Sequence, residues 1–235
     1  LDEEGMNDKE KAGVRAIKAM NYSRNLALSP YLYPGSDLGT PDYKSYVRTS
    51  PKLQYVMDCI RSVKEYHEKH NEPMSGQVVY MDRGVKYFPM LREYLINEVG
   101  FQPHEVAMIT GSTGDKKRLI QDAFLGRKYN EAIKDFEKIT DAERVKVLLG
   151  SSTIKEGMNL QTKSTVLYNC FLDWNPTDVV QLQGRIWLQK NEFANVRIVN
   201  PLMIDSMDIF MFQKLEEKTA RINSIWSVDG KSVFK

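Results

Sequence analysis

Five short apolar runs, separated by stretches with helical spacing, restrict what this chain can fold into more than any other feature. They are "GQVVYM" (Gly76–Met81), "VAMIT" (Val106–Thr110), "VKVLLGS" (Val145–Ser151), "STVLYNCF" (Ser164–Phe171) and "NVRIVNP" (Asn195–Pro201). Runs this short and continuous read as buried strands. Leu53, Val56, Ile60 and Val63 mark a helix that Ser50-Pro51 opens, with a capping hydroxyl and then Pro at the first helical position. Val85, Phe88, Leu91 and Leu95 mark the next helix, which ends near Gly100, and Asp115 to Phe124 gives a short one. Thr177 to Trp187 is another, and Asp205 to Trp226 is a long final helix with Ile209, Phe212, Leu215, Thr219 and Ile222 along one stripe. Strands alternating with helices predict an α/β fold, a parallel sheet with helices on both faces. Ligands in such sheets bind at the carboxyl ends of the strands.

Residues 1–50 follow a different pattern. Asp8 to Met20 has helix character, and "SPYLYPGSDLGTPDY" (Ser29–Tyr43) reads as an irregular linker because it is rich in Pro, Gly and Tyr. The expected organisation is therefore a helix and linker over 1–50, an α/β domain over 51–204, and a helix with tail over 205–235. "EAIKDFEKITDAER" (Glu131–Arg144) predicts an amphipathic helix with Ile133, Phe136 and Ile139 inward, part of a surface insertion over 126–144. The chain begins at Leu1, which suggests a fragment of a longer protein.

No apolar run approaches the length of a membrane span, and a net charge of +2 neither announces nor excludes a nucleic-acid partner. Cys59 and Cys170 read as free buried thiols of a reducing, cytoplasmic protein. His67, His70 and His104 have no spacing that suggests metal, and His67 and His70 read as solvated surface at a helix end.

Two segments carry the candidate chemistry, "GSSTIKEGMNLQ" (Gly150–Gln161) and "DWNPTDVVQLQGRIW" (Asp173–Trp187). In the first, Gly157 permits a tight turn, and Asn159 offers a donor and an acceptor suited to a ribose hydroxyl or a neighbouring loop. Ser151, Ser152 and Thr153 put hydroxyls and backbone amides at a strand end, where phosphates bind, although a Ser/Thr-rich turn has the same composition. In the second, Gln181, Arg185 and Leu188 share a helix face by their spacing, and Gly184 leaves room for close approach.

The order "QVVYM", "ITGST", "VKVLLGSSTIKEGMNL", "LDWNPTDVVQLQGRIW" resembles the second RecA-like lobe of the Swi/Snf-type branch of superfamily two helicases. "SPKL" (Ser50–Leu53) resembles the usual start of that lobe, and the resemblance spans Pro51 to Trp226. The chain also resembles the helicase-like part of phage- or plasmid-borne proteins that carry a DNA methylase domain. This resemblance implies an ATP-dependent DNA translocase whose Walker A loop and most of whose Mg contacts lie in a preceding lobe of the same parent chain, to which residues 1–50 would lead. Arg185 would be an arginine finger, with Gln181, Gly184, Gly157 and Asn159 at the nucleotide. Asp82, Arg83 and Gly84, then Gly111, Ser112 and Thr113, then Ser152 and Thr153, would face the DNA backbone. Lys116, Lys117 and Arg118 form a basic cluster nearby that fits a solvated helix face equally well.

The chain departs from the family pattern at Leu188, where a second arginine is usual, and at Lys190, where glycine is usual. It contains no "GxxxxGK[ST]", so alone it should not hydrolyse ATP at a useful rate. Two further readings compete with a motor lobe. One is a degenerate lobe that binds nucleic acid or acts as a scaffold without turnover. The other is a Rossmann-type enzyme, which "MDRGVKY" (Met81–Tyr87) disfavours with its single glycine.

Overall fold

The computed structural model describes residues 7–187, 191–225, 227–228 and 231–232. Leu188, Lys190 and Trp226 lie outside the described residues. Along the chain run α1 (Asp8–Leu28), α2 (Tyr43–Arg48), α3 (Pro51–His70), β1 (Gly76–Tyr80), α4 (Phe88–Asn97), β2 (Val106–Ile109) and α5 (Lys116–Phe124). These are followed by β3 (Arg127–Asn130), β4 (Asp135–Lys138), β5 (Val147–Gly150), β6 (Ser164–Asn169), α6 (Pro176–Gly184), β7 (Arg197–Val199) and α7 (Met207–Ile225). All five apolar runs are strands of one sheet in the order β2-β5-β1-β6-β7, and every neighbouring pair is parallel. The expected α/β architecture is the one adopted.

Alternate strand residues feed two cores, as the pleat requires. On one face Val79, Leu149, Val166 and Tyr168 pack against Leu53, Val56, Met57 and Ile60 of α3 and Phe88, Leu91 and Leu95 of α4. On the other, Val78, Leu148 and Leu167 pack against Phe124 of α5 and Leu182 of α6. Leu28, Tyr46 and Val47 belong to the first core, so the segment before residue 50 packs against the helices that cover that face of the sheet. Among the described residues no helix is long and apolar enough to cross a membrane.

Several local expectations are corrected. The stretch 131–144 is not a helix: β3 and β4 form an antiparallel hairpin, with Tyr129 opposite Phe136 and their rings edge-to-face at 5.4 Å. Lys134 has φ +53°, which breaks any helix there, and the Asn130 side chain accepts from the Ala132 amide to start the turn. Ser50 stands at the N-cap of α3, but its hydroxyl makes no cap bond and lies 2.8 Å from the Tyr46 carbonyl and from Ser29 Oγ. On α7 Leu215 of the expected stripe is buried and Ile209, Phe212 and Thr219 are partly so, but the other buried residues are Asp208 and Met211, and Ile222 is exposed. Asp208 is held inward by a buried ion pair with Lys52 of α3. α6 ends at Gly184 rather than continuing to Trp187. His67 is half-buried and its Nε2 lies 3.1 Å from Ser75 Oγ, whereas His70 is exposed. Cys170 is buried and Cys59 only partly so; both are free.

Candidate functional site

Backbone hydrogen bonds continue past the strands at the carboxyl edge and set the following loops side by side. The Ser151 amide donates to Ile109 at 3.0 Å, Met81 to Gly150 at 3.1 Å and Cys170 to Tyr80 at 2.9 Å. The loops after β2, β5, β1 and β6 therefore form one continuous rim, where parallel sheets bind ligands.

Gly111, Ser112 and Thr113 make a single 3₁₀ turn on this rim. Thr110 caps the turn: its amide donates to Thr113 Oγ1 at 2.8 Å, and Gly111 and Ser112 stay exposed. Lys116 and Arg118 are exposed on the first turn of α5, and Lys117 is partly buried. After β5, Ser152 is exposed, but Thr153 is buried and its hydroxyl accepts from Ser151 Oγ at 3.3 Å. After β1, Arg83 is exposed with its guanidinium 5.9 Å from the Phe171 ring centroid. Gly84 has φ +70°, and a Cβ there would meet Leu32 and the Tyr46 hydroxyl at 3.3 Å, so the turn requires glycine. Asp82 is partly buried, and its Oδ1 finds no hydrogen-bond partner among the described residues. Burial raises its pKa above the ordinary carboxylate value, and Asp173 adds to the shift against the opposing pull of Arg83, Lys155 and Arg24.

The segments 150–161 and 173–187 meet directly. The Leu160 amide donates to the Arg185 carbonyl at 3.0 Å, and Arg185 Nη2 donates to the Lys155 carbonyl. Arg185 is the C-cap of α6, so it is aimed by this turn rather than by a helix face shared with Gln181, which is exposed. Arg185 Nε is buried without an acceptor among the described residues. Gly157 has φ +69°, and a Cβ at Gly157 or Gly184 would meet open space. Asn159 is exposed; its Oδ1 accepts from the Gln161 amide at 3.1 Å and its carbonyl from Gln121 Nε2 at 2.8 Å. An unsatisfied guanidinium donor beside two open glycines and an exposed amide is chemically suited to an anionic, oxygen-rich ligand such as a nucleotide phosphate.

Three further residues complete the rim, and sequence reasoning gave none of them a role. Lys155 Nζ pairs with Asp173 Oδ2 at 2.7 Å and lies 5.3 Å from the Tyr80 ring centroid. Burial alone would lower the Lys155 pKa, but the hydrogen bonds to Asp173 and Tyr80 outweigh it and raise the pKa. Burial likewise works to raise that of Asp173, yet Lys155 and the Trp174 and Asn175 amides hold it below the ordinary carboxylate value. Arg24 of α1 reaches this rim from 148 residues upstream of its partner Leu172. The "K" of "STIKEG" and the "D" of "DWNP" stood in plain view, but only the fold pairs them; Arg24 had no local pattern at all. Among the described residues no three His, Cys, Asp or Glu side chains gather into a cluster able to hold a metal ion.

A family model described as the helicase conserved C-terminal domain matches residues 52–188, more than half of the chain. No curated protein matches the chain. Among the solved structures similar to it is the crystal structure of the C-terminal part of Fun30 ATPase domain, with a TM-score of 0.53 and 14% identity. That likeness covers 90% of this chain and 59% of the other, so the chain spans about three-fifths of that structure's length. At this identity the likeness speaks to the fold, which is the RecA-like α/β arrangement of a helicase C-terminal lobe. With the family model, it identifies the chain as a member of the helicase conserved C-terminal domain family.

Proposed function

We propose that this chain is the second lobe of an ATP-dependent, Swi/Snf-type DNA translocase, in which Arg185 completes an ATPase site whose phosphate-gripping loop belongs to a first lobe of the same parent polypeptide. The observation that carries this reading is the Arg185 guanidinium. One nitrogen is held by the Lys155 carbonyl, while Nε is a buried donor with no acceptor among the described residues. Such a donor is held ready for charge that arrives with the nucleotide. Gln181, Gly184, Gly157 and Asn159 would border the same nucleotide, and Mg would be held mainly by the first lobe. ATP supplies the energy of lobe closure and its hydrolysis allows reopening.

The exposed members of the rim, Arg83, Gly111, Ser112 and Ser152, are suited to the backbone of duplex DNA through amides, hydroxyls and one guanidinium. Of the residues assigned to this contact Thr153 is buried and Asp82, Gly84 and Thr113 are partly so, the last two contributing through turn geometry. A methylase domain elsewhere in the parent is part of the same proposal.

The test is ATP turnover by the full-length protein with and without duplex DNA, beside its Arg185→Ala variant. DNA-stimulated turnover that falls by about three to five orders of magnitude in the variant supports a finger. Turnover indifferent to Arg185→Ala removes it. A second reading, a lobe that binds DNA without turnover, draws on Leu188 and Lys190 in place of the family's arginine and glycine. It predicts DNA binding unaffected by ATP, and turnover recovered by Leu188→Arg with Lys190→Gly.

A further inference from the structure

Arg24 is 6% exposed, and it comes from the helix that precedes the sheet. Its Nη2 donates to the Leu172 carbonyl at 2.6 Å. Its guanidinium carbon lies 4.1 Å from the Phe171 ring centroid and 5.6 Å from that of Trp174. One side chain thus grips three of the four residues 171–174, the last before the N-cap of α6 at Asn175. The fourth, Asp173, is the partner of Lys155 at 2.7 Å, and the Lys155 carbonyl receives Arg185 Nη2. These contacts form an unbroken chain from α1 to the Arg185 guanidinium.

The chemistry of each link favours a positioning role. A planar guanidinium can stack on a ring and donate in its own plane at once, which a lysine ammonium cannot do. The Asp173 carboxylate also accepts from the Trp174 amide at 2.8 Å, so its orientation follows that of the turn Arg24 holds. Lys155 closes the one-turn 3₁₀ segment Ser152–Lys155, so the ammonium that pairs with Asp173 and the carbonyl that holds Arg185 belong to one residue. Burial lowers the Arg24 pKa below the ordinary guanidinium value and Arg83 adds to the shift, while Asp82, Asp173 and Asp208 act against it.

We propose that Arg24 is a positioning residue: by clamping residues 171–174 it orients Asp173, Asp173 orients Lys155, and the Lys155 carbonyl sets the direction of Arg185. The catalytic consequence rests on the reading of Arg185 as the phosphate-facing arginine; the geometric relay does not. Through these contacts a displacement of α1 at Arg24 would reach Arg185.

The experiment reads geometry and turnover separately. The Arg185 Nε–H resonance, assigned by its loss in Arg185→Lys, is followed by NMR in Arg24→Lys and Asp173→Asn. Both variants should shift or broaden it while the strand amides of β1 and β5 stay in place. If Arg24→Lys does not fold, Phe171→Leu removes the ring beneath the guanidinium and reads the same resonance. In the full-length protein, Arg24→Lys should lower kcat about tenfold or more, because small misplacement of a catalytic group is costly, and leave KM for ATP nearly unchanged. It should have no further effect in the Arg185→Ala background. An Arg185 resonance that does not move overturns the relay. A resonance that moves while turnover ignores Arg185→Ala keeps the relay and removes the functional reading instead.

Discussion

Asp208→Asn should destabilise this chain far more than loss of an ion pair on the surface of the same helix. Lys52 Nζ and Asp208 Oδ2 are 2.8 Å apart, with side chains 3% and 7% exposed. The same oxygen accepts from the Met203 amide at 3.0 Å. Asparagine can keep the amide bond, but it leaves the Lys52 ammonium in the interior without its counter-charge. Breaking a buried pair from one side costs about 3–5 kcal/mol. Removing the stranded charge as well, by Lys52→Met with Asp208→Asn, should restore about 2 kcal/mol of that loss, since the desolvation of the ammonium disappears with it. Glu217→Gln, which breaks the exposed Lys214–Glu217 pair on the same helix, should leave the unfolding midpoint essentially where it was. Urea unfolding at constant m-value reads all three. The reasoning is refuted if Asp208→Asn and Glu217→Gln shift the midpoint alike, or if Lys52→Met makes Asp208→Asn worse.

Three other outcomes follow from the rim. Asp82 has a pKa raised above its unfolded value by burial, so its ionisation on going to neutral pH opposes folding. Asp82→Asn should therefore stabilise the chain near neutrality, with the gain fading as pH falls through the raised folded-state pKa and gone below the unfolded carboxylate value; unfolding midpoints across that range check the sign. Gly84→Ala should cost more than Gly157→Ala in the same assay. Both have positive φ, worth about 1–2 kcal/mol against a side chain, but only Gly84 also has Leu32 and the Tyr46 hydroxyl against the added carbon. Ser112→Ala and Lys116→Ala together should weaken duplex DNA binding by the full-length protein and flatten its salt dependence, without changing the unfolding midpoint of the chain, since these side chains are exposed.

The strands were legible because a parallel sheet covered on both faces must be written in continuous apolar runs, and "VVY" and "VLL" leave little choice. The rim was legible as segments because loops after such strands are where ligands bind. What escaped depended on partners distant in sequence. Phe136 looks like a helix position when read with Ile133 and Ile139, but its partner is Tyr129 across a hairpin. On α7 the burial of Asp208 was not legible because its partner Lys52 lies more than a hundred residues earlier. Ser50 reads as a cap, yet its hydroxyl is taken up by Tyr46 and Ser29. Arg185 was singled out as part of a helix face, whereas its aim comes from Lys155 and Leu160, two backbone groups that no spacing rule connects to it.

The hairpin of β3 and β4 has a use of its own. It is anchored at the amino ends of the strands, where the buried Arg144 side chain bonds the carbonyls of Phe124 and Met74, at the opposite edge from the rim. Its tip carries Ile133, which is 60% exposed. Of the two native thiols, Cys170 is wholly buried and Cys59 partly so. A cysteine placed at residue 133 would thus give a fluorophore an attachment point remote from the rim. Paired with a dye on the first lobe proposed above, it would turn the proposed closure of the two lobes into a distance that can be followed one molecule at a time.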